Sequence, residues 1–287
     1  MLKVLIWQVS NDTRFKDKAI KILEEQHNGI EIVGEAVNED IAKVDGGGDY
    51  EVLLCVGAKK IGMSTVAQDA IRLHLPEEKL LGDWIVCIPG FTLDKYRELQ
   101  RSRLSIISKN CFGGQISHLL GLPFHSPFIN MFFGEQPYIR FLRTPRIYMD
   151  KQLQFKGTAY EQALKFDYPV FAMGDVDLHM NHYRDFDDAL SKWNKRKHRI
   201  NWNNLFVEMY TDKKEILEQF DALPYEKKVC FVPFKSDLDS AWYINADIDK
   251  NATGLGQLVG RFAIGMFTYY DPFDMLLYGK KTPLIDM

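Results

Sequence analysis

The chain has 287 residues, 46% of them hydrophobic and 26% charged, with a net charge of −3 at neutral pH and a pI near 6.2. That apolar content excludes a disordered chain and allows one large domain or two of ordinary size. The faintly acidic balance supplies no general field to draw in nucleic acid or an anionic membrane, so any phosphate recognition has to be local.

Four cysteines, Cys55, Cys87, Cys111 and Cys230, are scattered without a CxxC pair, which argues against a structural zinc site and a disulfide framework. Reduced thiols in a cytoplasmic protein are the simplest reading. Leu2–Trp7 is a short apolar run that reads as a first strand rather than a signal peptide. No stretch reaches the roughly twenty apolar residues a membrane helix requires. The most apolar late run, Leu255–Tyr270, is interrupted by Gly256, Gly260, Arg261 and Gly265 and reads as a C-terminal buried or interface helix.

After the first strand, Thr13–His27 has apolar side chains at helical spacing. Ile30–Val37 and Glu51–Val56 read as strands, Gly46–Gly48 as a loop, Ser64–Leu75 as a helix stopped by Pro76, and Trp84–Ile88 as a fourth strand. This alternation predicts a Rossmann-like parallel sheet over residues 1–90. The dinucleotide fingerprint is missing from it. Where GxGxxG should follow the first strand the chain reads Gln8-Val9-Ser10-Asn11-Asp12, so neither NAD nor FAD is expected.

Residues 91–287 read as a second α/β domain with a core of about 104–236. Helix Phe91–Arg101 leads into strand Leu104–Ser108, then Lys109–Gly114 and a helix through Leu120, stopped by Gly121 and Pro123. Cys111 falls where strand turns into helix, a position whose free amides and dipole stabilise a thiolate. It is a candidate nucleophile, or else a small buried residue beside two glycines that permit close packing. Ser108 and Asn110 could bind an oxyanion or a sugar hydroxyl, or cap the helix. Pro127–Phe133 reads as an apolar strand whose Asn130 is a substrate ligand or a satisfied core amide. Gln136–Leu142 reads as a helix, and Tyr160–Lys165 as a further helical turn.

The densest run of chemically capable side chains is Gly174–Tyr183, GDVDLHMNHY. Read as a strand, Asp175, Asp177, His179, Asn181 and Tyr183 share one face, and Val176, Leu178, Met180 and His182 the other. Asp175, Asp177, His179 and His182 join Cys111 as candidate catalytic groups. Asp175-Val176-Asp177 has the DxD form that holds a divalent cation, Mg or Mn, on a nucleotide-sugar diphosphate. No protein metal site beyond that is assigned. The next helix begins with Asp185 as N-cap and Asp188 three residues on. Trp193, Arg196 and Arg199 lie three apart on it, with Asn201 just beyond. An aromatic plane and two guanidinium groups on one stripe suit a sugar ring or a phosphate, although nearby carboxylates could pair the arginines instead. Asn204–Tyr210 and Val229–Pro233 read as strands around helix Lys214–Phe220.

The stretches SIISKNCFGG, GLPFHSPFINMFF, YPVFAMGDVDLHMNHY, WNKRKHRINWNN and KKVCFVPF, in this order, resemble the bacterial domain-of-unknown-function family 1919, commonly labelled exopolysaccharide or capsule biosynthesis. The resemblance covers roughly half the chain. It implies a glycosyltransferase-like role on a nucleotide- or lipid-linked sugar, a sugar or sugar-phosphate substrate, and polysaccharide-assembly proteins or a second copy as partners. In that setting Arg196 and Arg199 would neutralise leaving-group charge. The order of a cysteine at a helix start, GLPFHSP, a histidine strand and an arginine-rich helix is also similar to papain-like cysteine peptidases. That similarity implies a hydrolase or acyltransferase with Cys111 as nucleophile and His179 or His182 as its base. A non-catalytic partner in polysaccharide assembly is the third reading.

Overall fold

A computed structural model of the protein describes residues 1–8, 16–17, 20–21, 24, 28–37, 50, 52–56, 80–82, 93–120, 122–161, 165–244 and 270–283. The fold is mixed α/β, with parallel sheets and one antiparallel sheet. Two compact units divide it, residues 1–97 with 118–122, and residues 98–117 with 123–287. Among the described residues no helix is long and apolar enough to cross a membrane.

The first unit contains β1 (Leu2–Gln8), β2 (Ile30–Val37), β3 (Val52–Val56) and β4 (Leu80–Gly82) in the order β2-β1-β3-β4. All three pairings are parallel. Val4, Leu5 and Ile6 are buried, as a doubly covered strand requires. The expected helix Ser64–Leu75, the strand Trp84–Ile88 and the apolar run 255–269 lie outside the described residues.

After α1 (Leu93–Arg101), the second unit is built on β5 (Ser105–Ser108), β9 (Leu205–Tyr210), β10 (Lys228–Val232) and β11 (Ala241–Tyr243), ordered β11-β10-β9-β5 and parallel throughout. One sheet face receives α2 (Phe112–Leu119), whose Phe112 ring meets Phe206 and Phe231. The opposite face contributes Ile107, Val207, Met209, Cys230 and Val232 to the main core. That core is closed by apolar side chains of α3 (Glu135–Arg143) and α6 (Lys214–Asp221). Short α4 (Pro145–Met149) follows α3, and α7 (Pro272–Tyr278) is the last helix among the described residues, with Asp271 accepting hydrogen bonds from its first amides.

Between β5 and β9 the chain inserts an antiparallel sheet of β6 (Gln154–Glu161), β7 (Phe166–Met173) and β8 (Val176–His179). Its Phe171, Met173, Val176 and Leu178 join the same core. Three local expectations are corrected here. Residues 160 and 161 belong to strand β6 and not to a helical turn. Residues 127–133 are irregular, because Pro127 has no donor and Asn130 turns the chain at φ 57, leaving one bridge from Phe132 to His179. The strand expected over Gly174–Tyr183 has four residues, since Gly174 at φ 69 and Asp175 form the β7–β8 turn.

Candidate functional site

In parallel α/β sheets the carboxyl ends of the strands are where ligands are bound. At this edge β5 hands over to Lys109 and β9 ends in Tyr210, and their surroundings hold several perturbed titratable groups. Glu208, in the middle of the apolar strand LFVEMY, has no solvent exposure. Neither carboxyl oxygen has a hydrogen-bond partner, and burial pushes its pKa up to about 8 against the opposing charge of Lys109. An isolated carboxylate in such surroundings is costly, so the neutral acid is favoured.

Lys109 is 7% exposed. Its Nζ donates to the Tyr210 carbonyl at 3.1 Å, sits 3.9 Å from the Tyr210 ring centroid, and lies 3.6 Å from Glu135 Oε1. Burial lowers the ammonium's pKa, opposed by the charges of Glu135 and Glu208. Burial works to raise Glu135, but hydrogen bonds from Lys213 at 2.7 Å and Thr211 at 2.8 Å, together with Lys109, hold its carboxyl below the usual range. The Tyr138 hydroxyl stands against the carbonyls of Ile107 and Glu208 at 2.8 and 2.9 Å, fixing α3 across β5 and β9.

Cys111 is half-buried beside this cluster, within electrostatic reach of Glu208, Tyr183 and Tyr210. The helix start does not serve it as expected. The Phe112 amide donates to Asn110 Oδ1 at 2.8 Å and the Gly113 amide to Ser108 Oγ at 3.0 Å, so Ser108 and Asn110 cap α2. Burial, reinforced by Glu208, pushes the thiol up to about 11, the reverse of thiolate stabilisation. Among the described residues no imidazole hydrogen-bonds Cys111. The two glycines do permit close packing: a Cβ on Gly113 would fall 2.9 Å from Ser108 Oγ, and one on Gly114 would fall 2.8 Å from Asn130 Oδ1. Asn130 itself is exposed.

The alternation foreseen for GDVDLHMNHY holds across β8, where Val176, Leu178 and Met180 are buried while Asp177 and His179 are half-buried on the other face. The two aspartates each face cations. Asp175 accepts from Arg140 Nε at 3.0 Å and from the Tyr148 hydroxyl at 2.7 Å, and Asp177 pairs with Lys156 at 2.7 Å. Among the described residues no three His, Cys, Asp or Glu side chains are grouped to hold a metal ion. His179 stacks on Phe132 with ring centroids 4.5 Å apart, and Tyr168 Oη lies 3.4 Å from its Nδ1. Burial lowers its pKa, with Asp177 opposing and Lys156 reinforcing. His182 is exposed past the strand end, and Asn181 Oδ1 is buried without a partner. Tyr183 turns inward instead of continuing the polar face: its hydroxyl donates to the Ile129 carbonyl at 2.7 Å and accepts from Arg196 Nη1 at 3.2 Å.

On α5 (Phe186–Lys197), Asp185 is the N-cap and accepts the Asp188 amide at 2.8 Å. The stripe of Trp193, Arg196 and Arg199 is not a shared surface. Trp193 is 2% exposed and meets Phe128 edge-on at 5.4 Å, because the apolar side of the helix turns it into the core. Arg196 covers the Phe124 ring at 5.1 Å, while Arg199 is exposed and reaches the Phe124 carbonyl at 3.5 Å. The Asn201 side chain donates to the Arg103 carbonyl and accepts from the Asn203 amide, which are loop contacts.

Residues 86–278 match the family model described as "Domain of unknown function (DUF1919)". The chain belongs to this family. It is also 33% identical over 184 residues to an uncharacterized protein of Haemophilus influenzae, an alignment spanning 62% of this chain and 84% of that one. The DUF1919 region contains every candidate named above, including Lys109, Glu135 and Tyr210, to which the sequence reading assigned no role, and Glu208, which it offered only as a carboxylate to pair the arginines. One signal was available for Glu208: a lone acid inside an apolar parallel strand has to be explained. For Lys109 and Glu135, only the fold reveals that they meet.

Proposed function

We propose that this DUF1919 protein is a transferase acting on a sugar or sugar-phosphate in exopolysaccharide or capsule assembly, with the Lys109–Glu208 pair as its proton store. Glu208 carries the reading: a carboxyl that titrates near 8 exchanges a proton close to neutral pH, the range acid–base work requires. In such a transfer the bond from the sugar's anomeric carbon to the leaving phosphate breaks, the bond to the acceptor oxygen forms, and the acceptor's proton passes to the ionised fraction of Glu208, which becomes the neutral acid. The charge of Lys109 opposes the effect of burial and keeps the ionised form of Glu208 within reach. Arg196 and Arg199 supply cationic charge for a phosphate-bearing donor. Its place at the carboxyl ends of parallel strands supports the assignment, and so does the family resemblance. For residues 1–90, the parallel order β2-β1-β3-β4 supports a Rossmann-like scaffold. The cysteine-nucleophile reading is not favoured, since burial drives the Cys111 thiol away from the thiolate.

The test is release of nucleoside diphosphate from a panel of nucleotide sugars offered with simple glycan acceptors. Wild type is expected to turn over at least one donor, and Glu208→Gln to lose about a hundredfold or more of that rate while remaining folded. Failure of every donor, or an unchanged rate in Glu208→Gln, would sink the proposal.

A further inference from the structure

At the opposite edge of the same sheet, the amino ends of β9 and β10 border a groove of about 520 Å³. Trp202, Tyr225 and Tyr278 contribute aromatic walls, with Asn203, Glu226 and Lys227 between them. The volume lies in the range of small-ligand sites.

The polar groups divide into fixed and open ones. Lys227 Nζ is committed to Asn204 Oδ1 at 2.5 Å and to the carbonyls of Leu276 and Leu277 at the end of α7. The Asn204 amide donates to the Ser102 carbonyl, and the Tyr225 hydroxyl to the Leu142 carbonyl at 2.6 Å. These bonds hold the walls. Arg146 sits over the Trp202 ring at 4.8 Å and braces the indole. Among the described residues the Trp202 indole nitrogen, the Asn203 side-chain amide and the Glu226 carboxylate make no hydrogen bond, although each borders the groove.

We infer that this groove binds a neutral saccharide. Sugars present apolar C–H faces that pack on aromatic rings and rims of hydroxyls that both donate and accept, and the groove supplies both complements: ring walls, an amide, a carboxylate and an indole N–H. A phosphate would meet the Glu226 carboxylate and find Lys227 already engaged. The saccharide held here is separate from the proton-exchanging pair, so its binding does not depend on any transfer reaction.

Saturation-transfer NMR on the full chain with maltohexaose, cellohexaose and an N-acetylglucosamine hexamer tests the site. At least one probe is expected to bind saturably. Trp202→Ala should weaken it about tenfold and Asn203→Ala measurably, with Glu208→Gln binding as wild type. Asn203 is exposed, so its variant reports on the groove even where loss of Trp202 unsettles the fold. Binding by none of the three probes, or equal affinity in wild type and Asn203→Ala, would overturn the assignment. Activity lost in Glu208→Gln with binding retained separates this site from the proposed transfer chemistry.

Discussion

Arg140 Nε donates to Asp175 Oδ2 across 3.0 Å, joining α3 to the β7–β8 turn, while Arg140 Nη2 reaches the Asp175 carbonyl at 3.2 Å. Tyr148 adds its hydroxyl to the same carboxylate at 2.7 Å. The first half of the DxD signature is thereby occupied in tying two elements together.

A carboxylate held this way, first by the Tyr148 hydrogen bond and then by Arg140, has its pKa below the usual range. Its folded pKa lies under its unfolded one, so the stabilisation is present at neutral pH and fades as pH falls through the folded value. Asp175→Asn should therefore lower the melting temperature slightly, by under about 3 °C at pH 7, since both partners are largely exposed. The deficit should shrink as the pH falls below the ordinary carboxylate range and in high salt. A deficit that grows on acidification would contradict the assigned pairing.

Glu208 gives the opposite sign. Its folded pKa of about 8 lies above the ordinary carboxyl value, so the folded state keeps a proton that the unfolded state releases. Stability from this group is full below the unfolded value and is lost as pH rises toward 8. Replacing it with glutamine, similar in shape and unable to ionise, should be near neutral at pH 5 and stabilising on the order of 4 kcal/mol at pH 9. Urea unfolding at pH 5, 7 and 9 checks this. A variant-minus-wild-type difference that stays flat across that range would show that Glu208 does not titrate as described.

With its thiol near 11, Cys111 should be sluggish toward iodoacetamide. At pH 7.5 its thiolate fraction is roughly two orders of magnitude below that of an ordinary thiol, and alkylation mapped by peptide mass spectrometry should slow accordingly. Labelling faster than that of a model thiol would restore the nucleophile reading.

Gly113 offers a packing test. Alanine is the better helix former, yet its methyl would lie 2.9 Å from Ser108 Oγ and 3.0 Å from Ile106 Cγ2. Gly113→Ala should cost about 1–3 kcal/mol. Pairing it with Ser108→Gly should recover part of that loss, and simple additivity of the two substitutions would show that the contact is not the cause.

Local patterns carried much of the second unit. The apolar runs of β5, β9 and β10, the helical spacing of α3 and α6, and the Asp185 cap are each written within a few consecutive residues, and each appears in the fold. Strand β6 was illegible because QFKGTAYE mixes polar and aromatic residues around a register shift near Gly157, and its residues are largely exposed. Residues 127–133 misled in the other direction, apolar as a strand is but bent by Pro127 and left-handed Asn130. The candidate site was legible in its cysteine, histidines and aspartates as residue types, but not in their partners. Arg140 stands 35 residues from Asp175, and Lys109 meets Glu135 and Tyr210 only once three elements converge.

The Phe132 amide donates to the His179 carbonyl and the Phe132 carbonyl accepts the His179 amide in return, while the adjacent Phe133 amide donates to the carbonyl of Lys109. Neighbouring peptide groups are thus gripped by the antiparallel sheet on one side and by the end of β5 on the other. A trans peptide link does not stretch. Residues 132–133 therefore span the distance between the two elements with a single peptide unit, so the strand that carries His179 and the turn that carries Lys109 are moored to one short piece of backbone.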